Sequence, residues 1–269
     1  MNVSSDRWVA GDAYDIFMGR WSRRVAQPFL EWLDPAPRSH WLDVGCGTGA
    51  LTETICRHSR PSSIIACDPS PGFISYARDS IVSCPATFVV ADTDDLPRRE
   101  DGFDLVVSGL VLNFLAQPAN AVRSMKDRIR TGGGLAAYVW DYSEGMEFLR
   151  VFWEEAVGLD PSASHLAERH RFPLCRPRPL TDLFVQAGLA EVDVRPFDIS
   201  FVFPDFDAYW SPFLGGTGPA PSYVGTLDTK ARTALMNRLK KRLVPSTDGS
   251  IRLTARAFGI RGLVGNRQG

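Results

Sequence analysis

The sequence predicts an α/β fold in which a mostly parallel sheet of seven strands is covered by helices on both faces. Two observations predict this fold. Short apolar runs alternate with segments whose apolar residues recur at helical spacing. A glycine-rich turn also joins the first apolar run to the helix after it. Strands of a parallel sheet are buried on both faces, and they are therefore apolar along their whole length.

The first half of the chain supplies five strands. A helix is predicted over residues 13–33, where apolar side chains recur at helical spacing. Strands are predicted at residues 40–44, 64–68, 87–91, 103–108 and 135–140, and helices between them at 49–58, 71–82 and 119–129. A glycine turn at residues 131–134 is expected to precede the fifth strand.

The alternation changes after Trp140. Helices are predicted at 147–157, 180–187, 205–214 and 226–243, with a polar loop between the first two. The two remaining strands are expected at 190–203 and 251–260. The most apolar stretch, residues 105–116, is too short to span a bilayer.

Composition limits the possible functions. The chain has 269 residues, is 44% hydrophobic and carries a formal net charge of -1, so no general positive field attracts nucleic acid or an anionic membrane. The first residues lack the apolar core of a secretion signal, and we expect a cytoplasmic protein. The five cysteines form no C-x-x-C pair, and buried reduced thiols are expected rather than a disulfide or zinc framework.

The strongest motif is the glycine loop, residues 42–49, between the first strand and the next helix. Glycine lets the backbone turn sharply and approach a ligand closely, and the helix start offers free N–H groups. The spacing Gly45-x-Gly47-x-x-Ala50 also fits a relaxed dinucleotide fingerprint, so a nicotinamide-cofactor domain is an alternative. Asp43 argues against that alternative, because its carboxylate suits an ammonium group and would repel a pyrophosphate.

Acidic residues follow the next two strands. Asp68 ends the second strand about 20 residues beyond the loop, where an acid can accept hydrogen bonds from both ribose hydroxyls. Asp92 and Thr93 follow the third strand. An isolated acid at a strand end is often only a cap or turn residue. Three of them at consecutive parallel strand ends favour one shared ligand site.

The segment Asp43-Val-Gly-Cys-Gly-Thr-Gly49 resembles motif I of class I S-adenosylmethionine (SAM)-dependent methyltransferases, in the group that contains ubiquinone/menaquinone-type and natural-product small-molecule enzymes. The similarity runs from residues 14–20 to 248–251. It implies a Rossmann-like fold, SAM as the cofactor, and Asp43 near the methionine amine. The cofactor-binding residues that it implies are Tyr14, Arg20, Asp43, Gly45, Cys46, Gly47, Thr48, Gly49, Asp68, Pro69, Asp92, Thr93 and Ser108.

We interpret residues 1–269 as a single methyltransferase domain. Its expected parts are an N-terminal lid helix, a SAM-binding core, a cap-like insertion on the acceptor side after the fifth strand, and a C-terminal helix with the last strand. These parts are assigned to residues 1–33, 34–142, 143–222 and 223–269.

The acceptor side is less specific. A general base is needed only if the acceptor atom is protonated, and the candidate catalytic residues are Asp141, His165 and His170. The candidate substrate-binding residues are Asn113, Trp140, Tyr142, Phe152, Tyr209 and Trp210. Aromatic side chains at helical spacing fit either core packing or an apolar acceptor pocket. No clustered Cys/His spacing indicates a metal site.

These observations favour methyl transfer to a small molecule, aromatic or lipophilic in character. The basic run 238–242 carries an apolar stripe and is expected to be a solvated helix face rather than a nucleic-acid site. The residues after the fourth strand, Ser108-Gly-Leu-Val, also lack the N/D-P-P-Y/F motif of enzymes that methylate base amines. The alternatives are an NAD(P)-dependent oxidoreductase and a non-catalytic SAM-binding regulatory protein. Neither membrane insertion nor a particular oligomeric state is indicated.

Overall fold

The computed structural model describes residues 20–215 and 218–265. The helices are α1 Arg20–Leu33, α2 Ala50–His58, α3 Pro71–Ser80, α4 Pro118–Lys126, α5 Glu147–Leu159, α6 Glu168–Arg171, α7 Pro177–Gln186, α8 Phe206–Trp210, α9 Pro219–Thr226 and α10 Thr229–Arg242. The strands are β1 His40–Val44, β2 Ser63–Asp68, β3 Ala86–Val90, β4 Phe103–Gly109, β5 Ile129–Trp140, β6 Ala190–Phe203 and β7 Ile251–Leu263. Within these ranges, no helix is long and apolar enough to cross a membrane.

The seven strands form one sheet in the order β3-β2-β1-β4-β5-β7-β6, which confirms the predicted fold class. The first five strands pair in parallel. Val44 lies opposite Cys67, and Asp68 lies opposite Val90, so β1, β2 and β3 end at one edge. We call this the carboxyl edge. Ligands of open parallel sheets bind beyond this edge, where the strand order reverses.

The chain divides into two compact units. The sheet unit comprises described residues 20–139, 174–197 and 257–265, and the aromatic unit comprises described residues 140–173, 198–215 and 218–256. Strands β5, β6 and β7 carry residues of both units.

Helix α1 packs its apolar side into the core of the sheet unit. Val25, Phe29 and Leu30 are buried, and the Phe29 ring lies edge-on to that of Tyr138, with centroids 4.8 Å apart. The helix also binds α2, because Arg23 Nε donates to Glu53 Oε2 at 3.0 Å. The role of a lid depends on residues before α1, which lie outside the described ranges. That role therefore stays a prediction.

The aromatic unit is built around stacked rings. Phe152 lies 4.4 Å from Phe213 between ring centroids, and Phe148 lies 4.7 Å from the same ring. The Tyr209 hydroxyl donates to the carbonyl oxygen of Phe148 at 3.2 Å. Rings in such close contact contribute buried area and favourable edge and offset geometry. These residues therefore form the hydrophobic core of the unit.

Three local predictions were wrong. The turn at residues 131–134 is part of β5, which begins at Ile129. A Cβ at Gly133 would lie 2.8 Å from the Asp104 carbonyl oxygen, so strand packing requires that glycine. The polar loop after α5 is a 3-10 helix, Pro161–Leu166, followed by α6. The predicted helix 226–243 is two helices, α9 and α10, and Asp228 caps the second by accepting from Ala231 N at 2.7 Å.

The expectation of reduced cysteines throughout was also wrong. Cys56 and Cys84 form a disulfide with a Cα–Cα distance of 5.8 Å. It joins the end of α2 to the residues before β3. The other three cysteines, Cys46, Cys67 and Cys175, are free and buried, as expected. No local pattern indicates the pair, because 28 residues separate its members and only the fold brings them together.

The basic run on α10 is partly neutralised within the aromatic unit. Arg238 Nε lies 2.6 Å from Glu155 Oε2, and Arg242 lies 3.2 Å from Glu154. Lys240 lies over the ring of Phe206. These contacts give the run a role in attaching α10 to α5 and α8.

Candidate functional site

The glycine loop turns at the end of β1 through three left-handed glycines. Gly45, Gly47 and Gly49 have φ angles of 73°, 54° and 87°. The N–H groups of Gly45 and Cys46 both donate to the Cys67 carbonyl oxygen, at 2.8 and 3.0 Å. The loop is thus tied to the end of β2. Left-handed φ angles favour glycine because a Cβ is costly there.

The glycines differ in what surrounds them. A Cβ at Gly45 would lie 2.5 Å from Val111 Cγ2, so close packing requires this glycine. A Cβ at Gly47 would meet no described heavy atom within 4 Å. Within the described part of the chain, the backbone at Gly47 therefore faces a space in which a ligand can approach closely.

Asp43 is fully buried beneath this loop. Thr52 Oγ1 donates to its Oδ2 at 2.6 Å, whereas Oδ1 is buried with no hydrogen-bond partner among the described residues. Burial raises the pKa of Asp43 to about 7, the Thr52 hydrogen bond opposes that rise, and the charge of Asp68 adds to it. An unpartnered buried acceptor is costly, so this atom suits a donor supplied by a ligand.

Asp68 fixes the loop from the end of β2. Its Oδ2 accepts from Gly47 N at 3.1 Å, and its Oδ1 accepts from Ser70 N at 2.9 Å. Burial raises its pKa, the two backbone hydrogen bonds oppose the rise, and the charge of Asp92 adds to it. Each carboxylate oxygen retains acceptor capacity after one such bond.

Asp92 lies beyond β3 at the same edge and is exposed. The N–H and hydroxyl of Thr93 both donate to its Oδ1, at 2.5 and 3.2 Å. The charge of Asp68 raises the pKa of Asp43, and the charge of Asp92 raises the pKa of Asp68. The structure therefore brings together the three acids that the sequence singled out. Their combined field favours a cationic ligand.

The two free cysteines at this edge are not nucleophiles. Burial, together with neighbouring acids, raises the pKa of Cys67 to about 12 and that of Cys46 well above the usual thiol range. Since the thiolate is the reactive form, both side chains act as small apolar groups.

Ser108 near the end of β4 and Asn113 after it complete the described edge. Ser108 is buried and its Oγ donates to the Val44 carbonyl oxygen at 2.8 Å, which ties β4 to β1. Asn113 lies in the 3-10 helix Leu112–Phe114, and its Nδ2 is buried with no hydrogen-bond partner among the described residues. A free donor at this position suits a ligand group that accepts.

The other predicted cofactor residues are placed as follows. Thr48 is buried in the loop, and Pro69 is exposed after β2. Tyr14 and the side chain of Arg20 lie outside the described residues. The contact of each predicted residue with the cofactor stays a prediction.

Sequence reasoning missed Thr52, Val111 and Leu110. Thr52 follows Asp43 by nine residues, and its hydroxyl faces the carboxylate because α2 turns back over the loop. Leu110 has a φ of 63°, which is uncommon for a branched residue. The threonine in the first turn of the helix is the only sequence signal for any of these three residues. The contact of Val111 with Gly45 and the φ angle of Leu110 depend on the tertiary structure.

The three predicted catalytic residues lie in the aromatic unit. Asp141 is buried, and its Oδ1 accepts from the N–H groups of Ser143 and Glu144 at 3.0 and 3.2 Å. His165 is exposed and its Nδ1 lies 2.6 Å from the Ser162 carbonyl oxygen. His170 is exposed and accepts from Arg169 Nε at 3.1 Å. Each side chain thus has a local partner, and the catalytic role of each stays a prediction.

The predicted substrate-binding aromatics lie in the same unit. Trp140, Phe152, Tyr209 and Trp210 are buried, and Tyr142 contacts the Phe172 ring at a centroid distance of 5.2 Å. Trp140 lies edge-on to Phe201 at 5.9 Å. This geometry supports core packing, and acceptor contact stays a prediction for these residues.

SAM fits the residues at the carboxyl edge. Its ammonium can donate to the unpartnered Oδ1 of Asp43, its positive charge suits the acidic field, and its ribose hydroxyls can donate to Asp68. The open backbone face at Gly47 leaves room for close approach. Two of these features, the unpartnered acceptor and the open glycine, are observed in the structure and are independent of sequence similarity.

Comparison with known proteins gives the same assignment. The family described as "Methyltransferase domain" matches residues 42–137. A malonyl-[acyl-carrier protein] O-methyltransferase of Geobacter sulfurreducens is 30% identical over 74% of this chain and 72% of its own length. Another protein of that name, from a Paenibacillus species, is 27% identical over 56% of this chain and 55% of its own length.

The fold also matches a solved structure. Haemonchus contortus phosphoethanolamine N-methyltransferase 2, in complex with SAM, has a TM-score of 0.58 and 14% identity, covering 98% of this chain and 61% of that chain.

The chain spans about half the length of several curated relatives that it matches, with shares of 55%, 44% and 46%. The glycine loop, the convergent acids, the sheet order and these similarities agree. The chain belongs to the class I SAM-dependent methyltransferases.

Proposed function

We propose that this chain transfers the methyl group of SAM to a carboxylate oxygen of an acidic acyl group. The observation that carries the proposal is that the three residues predicted as general bases, Asp141, His165 and His170, have local partners. Asp141 Oδ1 accepts from two backbone N–H groups and its Oδ2 lies 4.0 Å from Arg256 Nη1, and the two histidines are exposed with local partners. An acceptor that is already ionised requires none of them.

The chemistry of the acceptor follows from its protonation state. Carboxylic acids have ordinary pKa values of about 4 and are ionised at neutral pH. A phenol or alcohol keeps its proton there, so its methylation gains from a general base. SAM supplies an electrophilic methyl group when it is bound. The chain itself must orient the acceptor and exclude water.

The residues of the sheet unit would hold the cofactor. We assign the ammonium group to Asp43 Oδ1 and the ribose hydroxyls to Asp68, with Asp92 towards the adenine. Asn113 Nδ2 is a buried donor after β4, and it suits an oxygen of the cofactor carboxylate or of the acceptor. The glycine loop supplies the close approach at Gly47.

Relatives support the carboxylate. Several are named malonyl-[acyl-carrier protein] O-methyltransferase, a name that describes an oxygen acceptor on a carried malonyl group. An acidic acyl group of this kind is the acceptor class that we favour. The alternative is the aromatic or lipophilic acceptor that the sequence predicts. Phe152 and Tyr209 pack in a core, and this packing adds no support for that alternative.

A labelled-methyl assay tests the proposal. The protein is incubated with SAM carrying a labelled methyl group and with each of three acceptors: a malonyl thioester on an acyl-carrier protein, the same thioester already esterified at its free carboxylate, and a catechol. We expect label to enter only the first acceptor, as a base-labile methyl ester. Labelling of the catechol or of the esterified control instead would contradict the proposal.

The histidines provide the matched control. His165→Ala and His170→Ala should keep the rate within about twofold, because neither acts as a base. A loss in the range of about 10²- to 10⁴-fold would show that a general base is required, and a protonated acceptor would then replace the carboxylate. SAM binding without transfer to any acceptor would favour the non-catalytic alternative.

A further inference from the structure

A cleft opens at the amino edge of the sheet, which is the edge at which β4 and β5 begin. Its volume is about 1200 Å³, and its lining residues all belong to the sheet unit. The lining includes five basic and three acidic side chains. The seven residues of β4 separate this edge from the carboxyl edge by roughly 20 Å, at about 3.3 Å for each residue. The cleft is therefore distinct from the cofactor site.

Two of the basic side chains already have partners. Arg130 Nε lies 2.6 Å from Asp104 Oδ1 and forms an ion pair with it. Lys126 Nζ donates to the Ala187 carbonyl oxygen at 2.7 Å. These contacts leave three arginines to account for, Arg98, Arg99 and Arg128.

Arg128 is buried along the wall of this cleft. Its Nε donates to the Leu96 carbonyl oxygen at 3.0 Å, and it forms no ion pair with any described carboxylate. Burial lowers its pKa and the positive charge of Arg98 lowers it further, while Asp127 and Asp95 oppose both effects. Arg128 is therefore a partly desolvated cation beside a like charge, with no described carboxylate in direct contact.

Arg98 and Arg99 continue the same wall. Arg98 is exposed and also forms no ion pair with a described carboxylate. Arg99 lies 3.8 Å from the exposed carboxylate of Asp101, yet its Nε is buried with no hydrogen-bond partner among the described residues. A buried N–H of this kind is costly unless an acceptor reaches it.

We propose that this cleft binds a small molecule that carries phosphate groups, contacted by the guanidinium groups of Arg98, Arg99 and Arg128. Guanidinium presents donors in a planar fork that matches phosphate oxygens in pairs. Pockets for small ligands enclose about 300–1,000 Å³, so the cleft has room for a diphosphate and an attached organic group. The ligand supplies an anion in direct contact with Arg128 and an acceptor for the Nε of Arg99.

Calorimetric titration of pyrophosphate into the full chain tests this proposal. Wild type should bind, and Arg98→Gln should bind about 10- to 100-fold more weakly, since a charged hydrogen-bonding group is lost. Arg178→Gln is the matched control, because that arginine is 93% exposed on α7 and away from the cleft. It should bind pyrophosphate as wild type does. SAM affinity should be the same in all three proteins.

Arg128→Lys is a second variant, which keeps the charge and removes the planar fork. It should weaken pyrophosphate binding while its melting temperature shows that the fold is retained. Absence of binding to wild type, or equal loss in Arg178→Gln, would overturn the proposal. Tighter and Arg98-dependent binding of an acidic peptide such as oligo-aspartate would also overturn it, since the site would then serve an acidic protein.

Discussion

The backbone N–H of Gly47 donates a hydrogen bond to Asp68 Oδ2 across 3.1 Å. This bond joins the middle of the glycine loop to the acid that ends β2. The same carboxylate also accepts from Ser70 N at the start of α3. One side chain thus sets the position of the loop and keeps acceptor capacity for a ligand.

Gly47→Ala should abolish SAM binding without unfolding the protein. Its φ of 54° makes alanine unfavourable by about 1–2 kcal/mol, but no atom of the described residues obstructs the new Cβ. Gly249→Ala is a matched control, since Gly249 has a φ of 80° and equally open surroundings. Thermal unfolding should shift similarly in both variants, and only Gly47→Ala should lose SAM affinity in titration. Equal SAM affinity in the two variants would contradict a close approach at Gly47.

Stability should fall as pH rises towards neutrality, because of Asp43. Its pKa is about 7 in the folded chain, compared with 3.8 for an unperturbed aspartate carboxyl group. The folded state therefore binds the proton more tightly, and the free energy of unfolding decreases from about pH 4 to about pH 7 and is then constant. Between pH 5 and pH 8 this decrease should be about 3 kcal/mol.

Urea unfolding of wild type and Asp43→Asn at these two pH values measures the effect. The asparagine variant lacks the titration, so its free energy of unfolding should change less with pH by that amount. The same pH dependence in both proteins would show that Asp43 is ionised throughout.

The disulfide should stabilise the chain only under oxidising conditions. Cys56 and Cys84 are 28 residues apart, and closing a loop of that length corresponds to about 3–4 kcal/mol. Cys84→Ser should therefore lower the free energy of unfolding by that amount without reductant and have a much smaller effect with it. A change that is the same in both conditions would indicate a packing role for Cys84.

Phe152→Ala should be strongly destabilising. Phe152 is fully buried and stacks on Phe213, so its removal should cost about 3–5 kcal/mol in the free energy of unfolding. Leu159→Ala on the same helix is the control, since that side chain is 42% exposed and should cost less than about 1 kcal/mol. A stable Phe152→Ala protein with a raised KM for the acceptor would instead support a pocket role.

The core of the fold could be predicted because its pattern is local. Apolar runs such as residues 40–44 and 103–108 correspond closely to β1 and β4, since buried parallel strands are apolar throughout. The acids Asp43 and Asp68 were identified because chain order alone places strand ends at one edge of a parallel sheet. Their field and pKa shifts required the tertiary structure.

The wrong predictions have tertiary causes. The glycine pattern predicts a turn at residues 131–134, yet Gly133 lies in β5 where the Asp104 backbone comes too close for a side chain. The Cys56–Cys84 pair and the unpartnered Asp43 Oδ1 arise from contacts between distant segments. No pattern of period 2 or 3.6 records such contacts.

Calorimetric titration of SAM into wild type, Asp68→Ala and Asp79→Ala tests the cofactor assignment most directly. Asp79 is an exposed acid on the neighbouring α3 and controls for the loss of one negative charge. We predict micromolar binding, of order 10⁻⁶ M, to wild type and Asp79→Ala and loss of binding in Asp68→Ala. Unchanged binding in Asp68→Ala, or binding of a nicotinamide dinucleotide in place of SAM, would contradict the account.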